Sequence, residues 1–210
     1  MIHDITREQY IDNPCGCSSV AYRKNKERGK PENIDVIHEK DYDGMADGSS
    51  VTRYFRLIHD LDSVISPPNN DFEIQTVNIE TQTVIVAEIL SKCYNAEYSA
   101  EYVDSLTKTG VFDNGLWIFA VERNTGLPVA LGIADFDSDV KEGSLEWIQV
   151  LPEKRGQGLG KIIVSELLLR LKGKANFVTV SGQVDNSANP EILYRQCGFT
   201  GEDVWCVIRR

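Results

Sequence analysis

No stretch of this chain approaches the ~20 consecutive apolar residues that a bilayer-spanning helix needs. Its first residues, Met1-Ile2-His3-Asp4-Ile5-Thr6-Arg7-Glu8, place an acid early and contain no apolar core, so they lack the pattern of a secretory signal. A cytoplasmic protein is the expectation, with no membrane partner. Cations are scarce as well. Lys and Arg total 22 against 32 Asp and Glu, a net charge of −10 over 210 residues. A general nucleic-acid binder needs clustered Lys and Arg for phosphate contacts, so nucleic acid is not the expected partner. Long-range steering by this charge favours a cationic or neutral substrate over a polyanion.

Histidine is rarer still, with only His3, His38 and His59. No Ser/His/Asp or Cys/His arrangement emerges, which argues against a hydrolase with its own covalent nucleophile. The five cysteines, Cys15, Cys17, Cys93, Cys197 and Cys206, are odd in number and scattered. They fit reduced, packed thiols better than a disulfide framework. Cys15-Gly16-Cys17 is tighter than the usual C-x-x-C and has no histidine close in sequence, so no metal site is expected.

What is present divides near Ser66-Pro67-Pro68-Asn69-Asn70-Asp71, a stretch of turn and linker residues. Residues 1–70 read as an N-terminal extension and 71–210 as the main domain. The extension suggests a helix from Ile2 to Tyr10, a turn at Asn13-Pro14-Cys15-Gly16, a charged loop from Arg23 to Lys30, and strands over 35–38 and 53–59, with a loop over 41–50 between them. So short a piece makes a marginal core and is expected to pack on the main domain. That domain reads β-α-α-β-β-β-α-β-α-β, an α/β layout with an antiparallel meander followed by a crossover. Strands are expected over 72–77, 116–122, 127–136, 144–151, 177–181 and 204–208. Helices are expected over 79–94, 100–107, 159–172 and 190–196. In the third helix Leu159, Ile163, Leu167 and Leu171 form one stripe.

The segment richest in chemistry is Val150-Leu151-Pro152-Glu153-Lys154-Arg155-Gly156-Gln157-Gly158-Leu159-Gly160-Lys161. A strand ends, a glycine-rich turn follows, and an amphipathic helix begins. Unpaired N–H groups and the positive dipole end make a helix N-terminus a phosphate site. Glycines let the backbone approach an anion without a Cβ in the way, and Arg155 and Lys161 can add charge. A Walker loop would need Ser or Thr after Gly160-Lys161, but Ile162 is there. A dinucleotide fingerprint starting at Gly156 would need glycine at Lys161.

The turn also resembles the Arg/Gln-x-x-Gly-x-Gly/Ala loop of the GNAT acetyltransferase superfamily, with Arg155, Gly158 and Gly160 in the matching places. The preceding Leu145-Glu146-Trp147-Ile148-Gln149-Val150-Leu151-Pro152 is similar to that family's fourth strand. Downstream, Asn189-Pro190-Glu191-Ile192-Leu193-Tyr194-Arg195-Gln196-Cys197-Gly198-Phe199 is similar to its short helix ending in Tyr-x-x-x-Gly-Phe. The resemblance implies the GNAT acyl-CoA acyltransferase fold, a mixed and mostly antiparallel sheet flanked by helices.

It further implies acetyl-CoA as co-substrate, with no metal. The CoA pyrophosphate would lie on Arg155, Gly156, Gln157, Gly158, Leu159, Gly160 and Lys161, and pantetheine along Ile148, Gln149 and Val150. Transfer would pass directly to a small-molecule or peptide amine in a ternary complex, and a homodimer is one assembly the resemblance suggests. Tyr194 is the implied acid for the leaving thiolate. Glu146, assigned by strand alternation to the face of Ile148 and Val150 in a half-buried cleft, is the candidate base. Asp135 and Asp137 are alternatives. Many relatives carry an asparagine seven residues before the tyrosine, where this chain has Ser187, so Asn186 and Asn189 are the candidates to orient CoA. Tyr54, Phe55 and Tyr94 are candidates to line an acceptor pocket. The alternatives are a CoA-binding sensor or structural module without turnover, and an acyltransferase using a longer acyl-CoA.

Overall fold

A computed structural model describes residues 5–19, 34–44, 50–65 and 71–209. The expected linker over 66–70 and the charged loop over 23–30 lie outside them. Among the described residues the fold is α/β, with eight strands in mostly antiparallel pairing and helices flanking them. Two compact units result: one is Asp60–Val178 with Gln196–Gly198, the other is Met1–His59, Thr179–Arg195 and Phe199–Arg210. Among the described residues no helix is long and apolar enough to cross a membrane.

The Asp60–Val178 unit carries β3 (Phe72–Thr76), α2 (Thr83–Tyr94), α3 (Ala100–Leu106), β4 (Trp117–Glu122), β5 (Pro128–Asp137), β6 (Glu142–Val150) and α4 (Leu159–Leu171), numbered after α1, β1 and β2 of the other unit. Its strands lie in the order β6-β5-β4-β3, every pair antiparallel. Alternation gives the sheet two apolar faces. Trp117, Phe119, Leu131 and Ile133 join Val86, Leu90 and Val103 of α2 and α3 in one core. On the other face the stripe of α4, Leu159, Ile163, Leu167 and Leu171, is at most 1% exposed. α2 starts at Thr83 rather than at 79 because Asn78 holds a turn there. Its side chain accepts the Glu80 N–H at 3.0 Å, and its own N–H donates to Gln82 Oε1 at 2.8 Å.

Gly132 sets how closely α4 approaches. A Cβ there would fall 2.5 Å from Ile163 Cγ2 and 3.1 Å from Leu167 Cδ1. Gly132→Val is therefore expected to cost about 1–3 kcal/mol through over-packing, read as a lowered urea midpoint with unchanged slope.

The other unit carries α1 (Arg7–Asp12), β1 (Ile34–His38), β2 (Ser50–His59), most of β7 (Phe177–Gln183), most of α5 (Pro190–Gln196) and β8 (Thr200–Arg209). Its strand order is β1-β8-β2-β7. β8 pairs antiparallel with both N-terminal strands, Val36 and Thr52 each opposite Val207. The N-terminal segment thus supplies strands to a sheet it shares with the C-terminal strand. α1 begins where Thr6 and Gln9 cap each other reciprocally, which makes it shorter than the helix expected from Ile2. At the Asn13–Gly16 turn, Asn13 Oδ1 accepts the Gly16 N–H at 3.0 Å.

Candidate active site

The glycine-rich turn forms as its sequence suggests. Pro152–Lys154 make one 3-10 turn, Arg155 is extended, and Gly156 and Gly158 take φ of 78° and 79°. Both are left-handed values, which side chains with a Cβ rarely adopt. Gly158 caps α4 without a side-chain hydrogen bond. Among the described residues, the N–H groups of Gly156, Gln157, Gly158, Leu159 and Gly160 donate to no protein acceptor. A Cβ on Gly156 or Gly158 would meet no heavy atom within 4 Å. The result is an open run of N–H donors at the positive end of a 13-residue helix, flanked by the exposed side chains of Arg155 and Lys161. Such a run binds phosphate.

The strand that feeds the turn holds Ile148, Gln149 and Val150 half-buried, opposite Gly132, Leu131 and Ala130. The Val150 carbonyl accepts from Arg155 Nε at 3.2 Å and from Cys93 Sγ at 3.5 Å. This ties Arg155 back onto the strand end. Cys93 was not foreseen, because it arrives from α2. Burial pushes its thiol up, against the pull of Arg155.

Residues 114–201 match the family described as acetyltransferase (GNAT) domain. The fold is similar to that of a GCN5-related N-acetyltransferase from Sphaerobacter thermophilus, at 19% identity and TM-score 0.64, over 76% of this chain and 51% of that one. It is similar to a GCN5-related N-acetyltransferase from Kribbella flavida, at 17% identity and TM-score 0.60, over 84% and 67%. It is also similar to the ribosomal-protein-S18-alanine N-acetyltransferase of Escherichia coli, at 18% identity and TM-score 0.52, over 66% and 92%. The chain spans about half the length of the first of these. No curated protein matches the sequence.

Within the matched segment the placement expected for Glu146 needs correction. The β5–β6 register runs Ile133↔Trp147 and then Ala134↔Leu145, so Glu146 is the extra residue of a β-bulge. The bulge breaks the alternation on which its face was assigned. Trp147 packs with the α2/α3 core, whereas Ile148 lies opposite Gly132, the residue that meets α4. Glu146 accepts from Ser144 Oγ at 2.9 Å and sits near Tyr102 of α3. It therefore shares a face with Ser144 and Trp147, not with Ile148 and Val150. It is also exposed rather than half-buried. The alternative Asp135 lies directly opposite Ser144, on the same face, and Asp137 opposite Glu142.

An aromatic row on that face leaves no signal in the sequence, because its members come from α2, α3, β6 and the loop between the two helices. Tyr94, Tyr98, Tyr102 and Trp147 follow one another at centroid spacings of 5.9, 5.8 and 6.4 Å. Gln149 Nε2 donates to Tyr94 Oη at 2.9 Å. Of the aromatics proposed for an acceptor pocket, Tyr94 thus belongs to this row. Tyr54 and Phe55 belong to β2 of the other unit, where Phe55 packs on Tyr194 at 6.2 Å.

Tyr194 is 7% exposed and lies between Phe55 and Phe199. Asn186 is exposed and its side chain closes a turn, Oδ1 accepting the Ala188 N–H at 2.9 Å. Asn189 is exposed with φ of 47° and leads into α5. Burial pushes the Cys197 thiol up to about 11, and the Lys161 charge only partly opposes it. A thiol held neutral in this way is a packing group, not a nucleophile. Among the described residues no group of three or more His, Cys, Asp or Glu could hold a metal.

Proposed function

We propose that the protein is an N-acetyltransferase that moves an acetyl group from acetyl-CoA to a small-molecule or peptide amine, by direct transfer in a ternary complex. The observation that carries this reading is the run of N–H donors from Gly156 to Gly160, open to solvent within the segment that matches the acetyltransferase (GNAT) family. These donors, with Arg155 and Lys161, would hold the CoA pyrophosphate. The backbone from Ile148 to Val150 would lie along pantetheine. A β6 N–H would donate to the oxyanion as the amine nitrogen attacks the thioester carbon. Glu146, directly or through water, would take the ammonium proton, since an alkyl ammonium near pKa ~10 is inert until it loses one. Tyr194 would supply a proton to the sulfur as the C–S bond breaks, and would be reprotonated from solvent as the attacking nitrogen sheds its second proton there.

The test is calorimetric titration with acetyl-CoA, followed by an assay of CoA release over a panel of amines. Binding with amine-dependent release is expected. No binding by the folded protein would sink the proposal. Glu146→Gln is expected to lower turnover about 100-fold with acetyl-CoA affinity unchanged; full activity in the variant would pass the base role to Asp135 or Asp137. A second reading, a CoA-binding module without turnover, is favoured by the exposure of Glu146. Its signature is acetyl-CoA binding without release of CoA to any amine.

A further inference from the structure

The row of Tyr94, Tyr98, Tyr102 and Trp147 lies wholly within the Asp60–Val178 unit. Tyr94 is 47% exposed and Tyr102 44%, while Tyr98 and Trp147 are half-buried. Single exposed rings are ordinary, but a contiguous run of them marks a contact surface.

Local structure holds the rings in place. Ser91 Oγ accepts the Tyr98 N–H at 3.0 Å and donates to the Ala87 carbonyl at 2.8 Å. This pins the loop between α2 and α3 onto α2. Ser99 caps α3, its Oγ accepting the Tyr102 N–H at 3.2 Å. Tyr98 and Trp147 pack on the core beneath. Neighbouring ring planes are inclined by 43°, 51° and 64°. No pair is stacked flat, which suits the row to taking a further ring or a cation.

The two ends of the row differ. At one, Gln149 Nε2 donates to Tyr94 Oη at 2.9 Å. At the other, Tyr102 and Trp147 stand beside Glu146. Asp135 lies opposite Ser144, whose hydroxyl donates to Glu146 at 2.9 Å. Glu146 is exposed, so exchanging its present partners for an ammonium costs little. The net charge of −10 also favours a cation. Rings with a carboxylate at one end suit a single cation with an apolar body. A polyamine would need a partner for each charge along its length, and a peptide would need donors and acceptors for its backbone.

We propose that the aromatic row is the acceptor site, and that it selects a primary amine carrying a flat aromatic body on a short alkyl chain. The ammonium meets Glu146 beside the Trp147 ring, and the aromatic body lies on Tyr102 and Tyr98. The order along β6 agrees with this. With pyrophosphate on residues 155–161 and pantetheine running back from Val150 to Ile148, the thioester comes toward Trp147 and Glu146. The nitrogen–carbon bond forms as the carbon–sulfur bond breaks, with the same proton transfers to Glu146, to solvent and to the sulfur. The transfer step rests on the acetyl-CoA reading; binding of the amine does not.

The probes are 2-phenylethylamine, n-butylamine, which lacks the ring, and alanine amide, which presents a peptide-like amine. Each is titrated calorimetrically into the full chain, alone and with CoA present, and assayed for CoA release from acetyl-CoA. The expected kcat/KM for 2-phenylethylamine is at least about tenfold above the other two, a difference of about 1.4 kcal/mol. Tyr102→Ala, at an exposed position, is expected to raise KM for 2-phenylethylamine about tenfold, with kcat, acetyl-CoA affinity and the urea midpoint little changed. Tyr102→Phe keeps the ring and should restore KM. A tyrosine with a purely structural part would move the urea midpoint and leave the ranking of amines alone. Equal use of the three amines, preference for alanine amide, or an unchanged KM in Tyr102→Ala would each overturn the proposal while the acetyl-CoA reading stands. If acetyl-CoA does not bind, that reading fails and titration alone decides the row. Saturable binding of 2-phenylethylamine, weakened in Tyr102→Ala and restored in Tyr102→Phe, would uphold the row as an amine site, and no binding would overturn it.

Discussion

Gly158→Glu abolishes acetyl-CoA binding and leaves the chain folded: that is the expected result with the largest effect. Gly158 holds φ of 79°, and a Cβ there meets nothing within 4 Å. The folding cost is then backbone strain alone, about 1–2 kcal/mol for a non-glycine residue in the left-handed region. The cost to the cofactor is much greater. A carboxylate at the cap of α4 would lie among the N–H groups from Gly156 to Gly160 that we propose receive the pyrophosphate. Two like charges ~4 Å apart at an effective dielectric of ~20 repel by about 4 kcal/mol, nearly three powers of ten in affinity. Gly158→Ala separates the two effects. It carries the strain without the charge and is expected to lose stability by about 1 kcal/mol but to keep most of the affinity. Calorimetry and urea unfolding on the three proteins decide the matter. Undiminished acetyl-CoA binding in Gly158→Glu would remove the turn from the cofactor site.

The second large effect is expected at Tyr194. Tyr194→Phe keeps the ring packed between Phe55 and Phe199 and removes only the hydroxyl. Stability is expected to change by about 1 kcal/mol, the net worth of one hydrogen bond. If that hydroxyl supplies the proton to the departing thiolate, turnover falls by about 10²–10⁴, the usual contribution of a general acid, with acetyl-CoA affinity unchanged. The split between kcat and binding separates the roles, since a purely structural tyrosine would move stability and affinity together and spare kcat. Unchanged kcat in a folded Tyr194→Phe would make the residue part of the core and leave the thiolate to be protonated by solvent.

How much of this was legible in the chain depended on distance in sequence. The turn from Arg155 to Gly160 could be read directly, because glycines that need positive φ and an apolar stripe of period 3.6 are local features. The turn between β4 and β5 obeys the same local preference, with Gly126 at φ of 70°. The start of α2 was misplaced by a few residues, because the Asn78 side chain competes with the helix for its first N–H groups. The face of Glu146 was misjudged because alternation assumes an unbroken ladder. The bulge opposite Ile133 and Ala134 depends on β5 as much as on β6.

The sequence by itself therefore determined the class of the fold, the strand–turn–helix that would meet a phosphate, and the tyrosine segment before Gly198-Phe199. Each rests on backbone preferences and periodicity within a short window. Only the tertiary structure decided that β2 pairs with β8, that Cys93 and Arg155 meet on the Val150 carbonyl, and that Arg56 is buried beside a cavity walled by residues from both ends of the chain. Most of those contacts join residues far apart in sequence, Cys93 and Val150 by 57 positions. They are selected by which apolar faces can be buried together, a competition across the whole chain that no local pattern records.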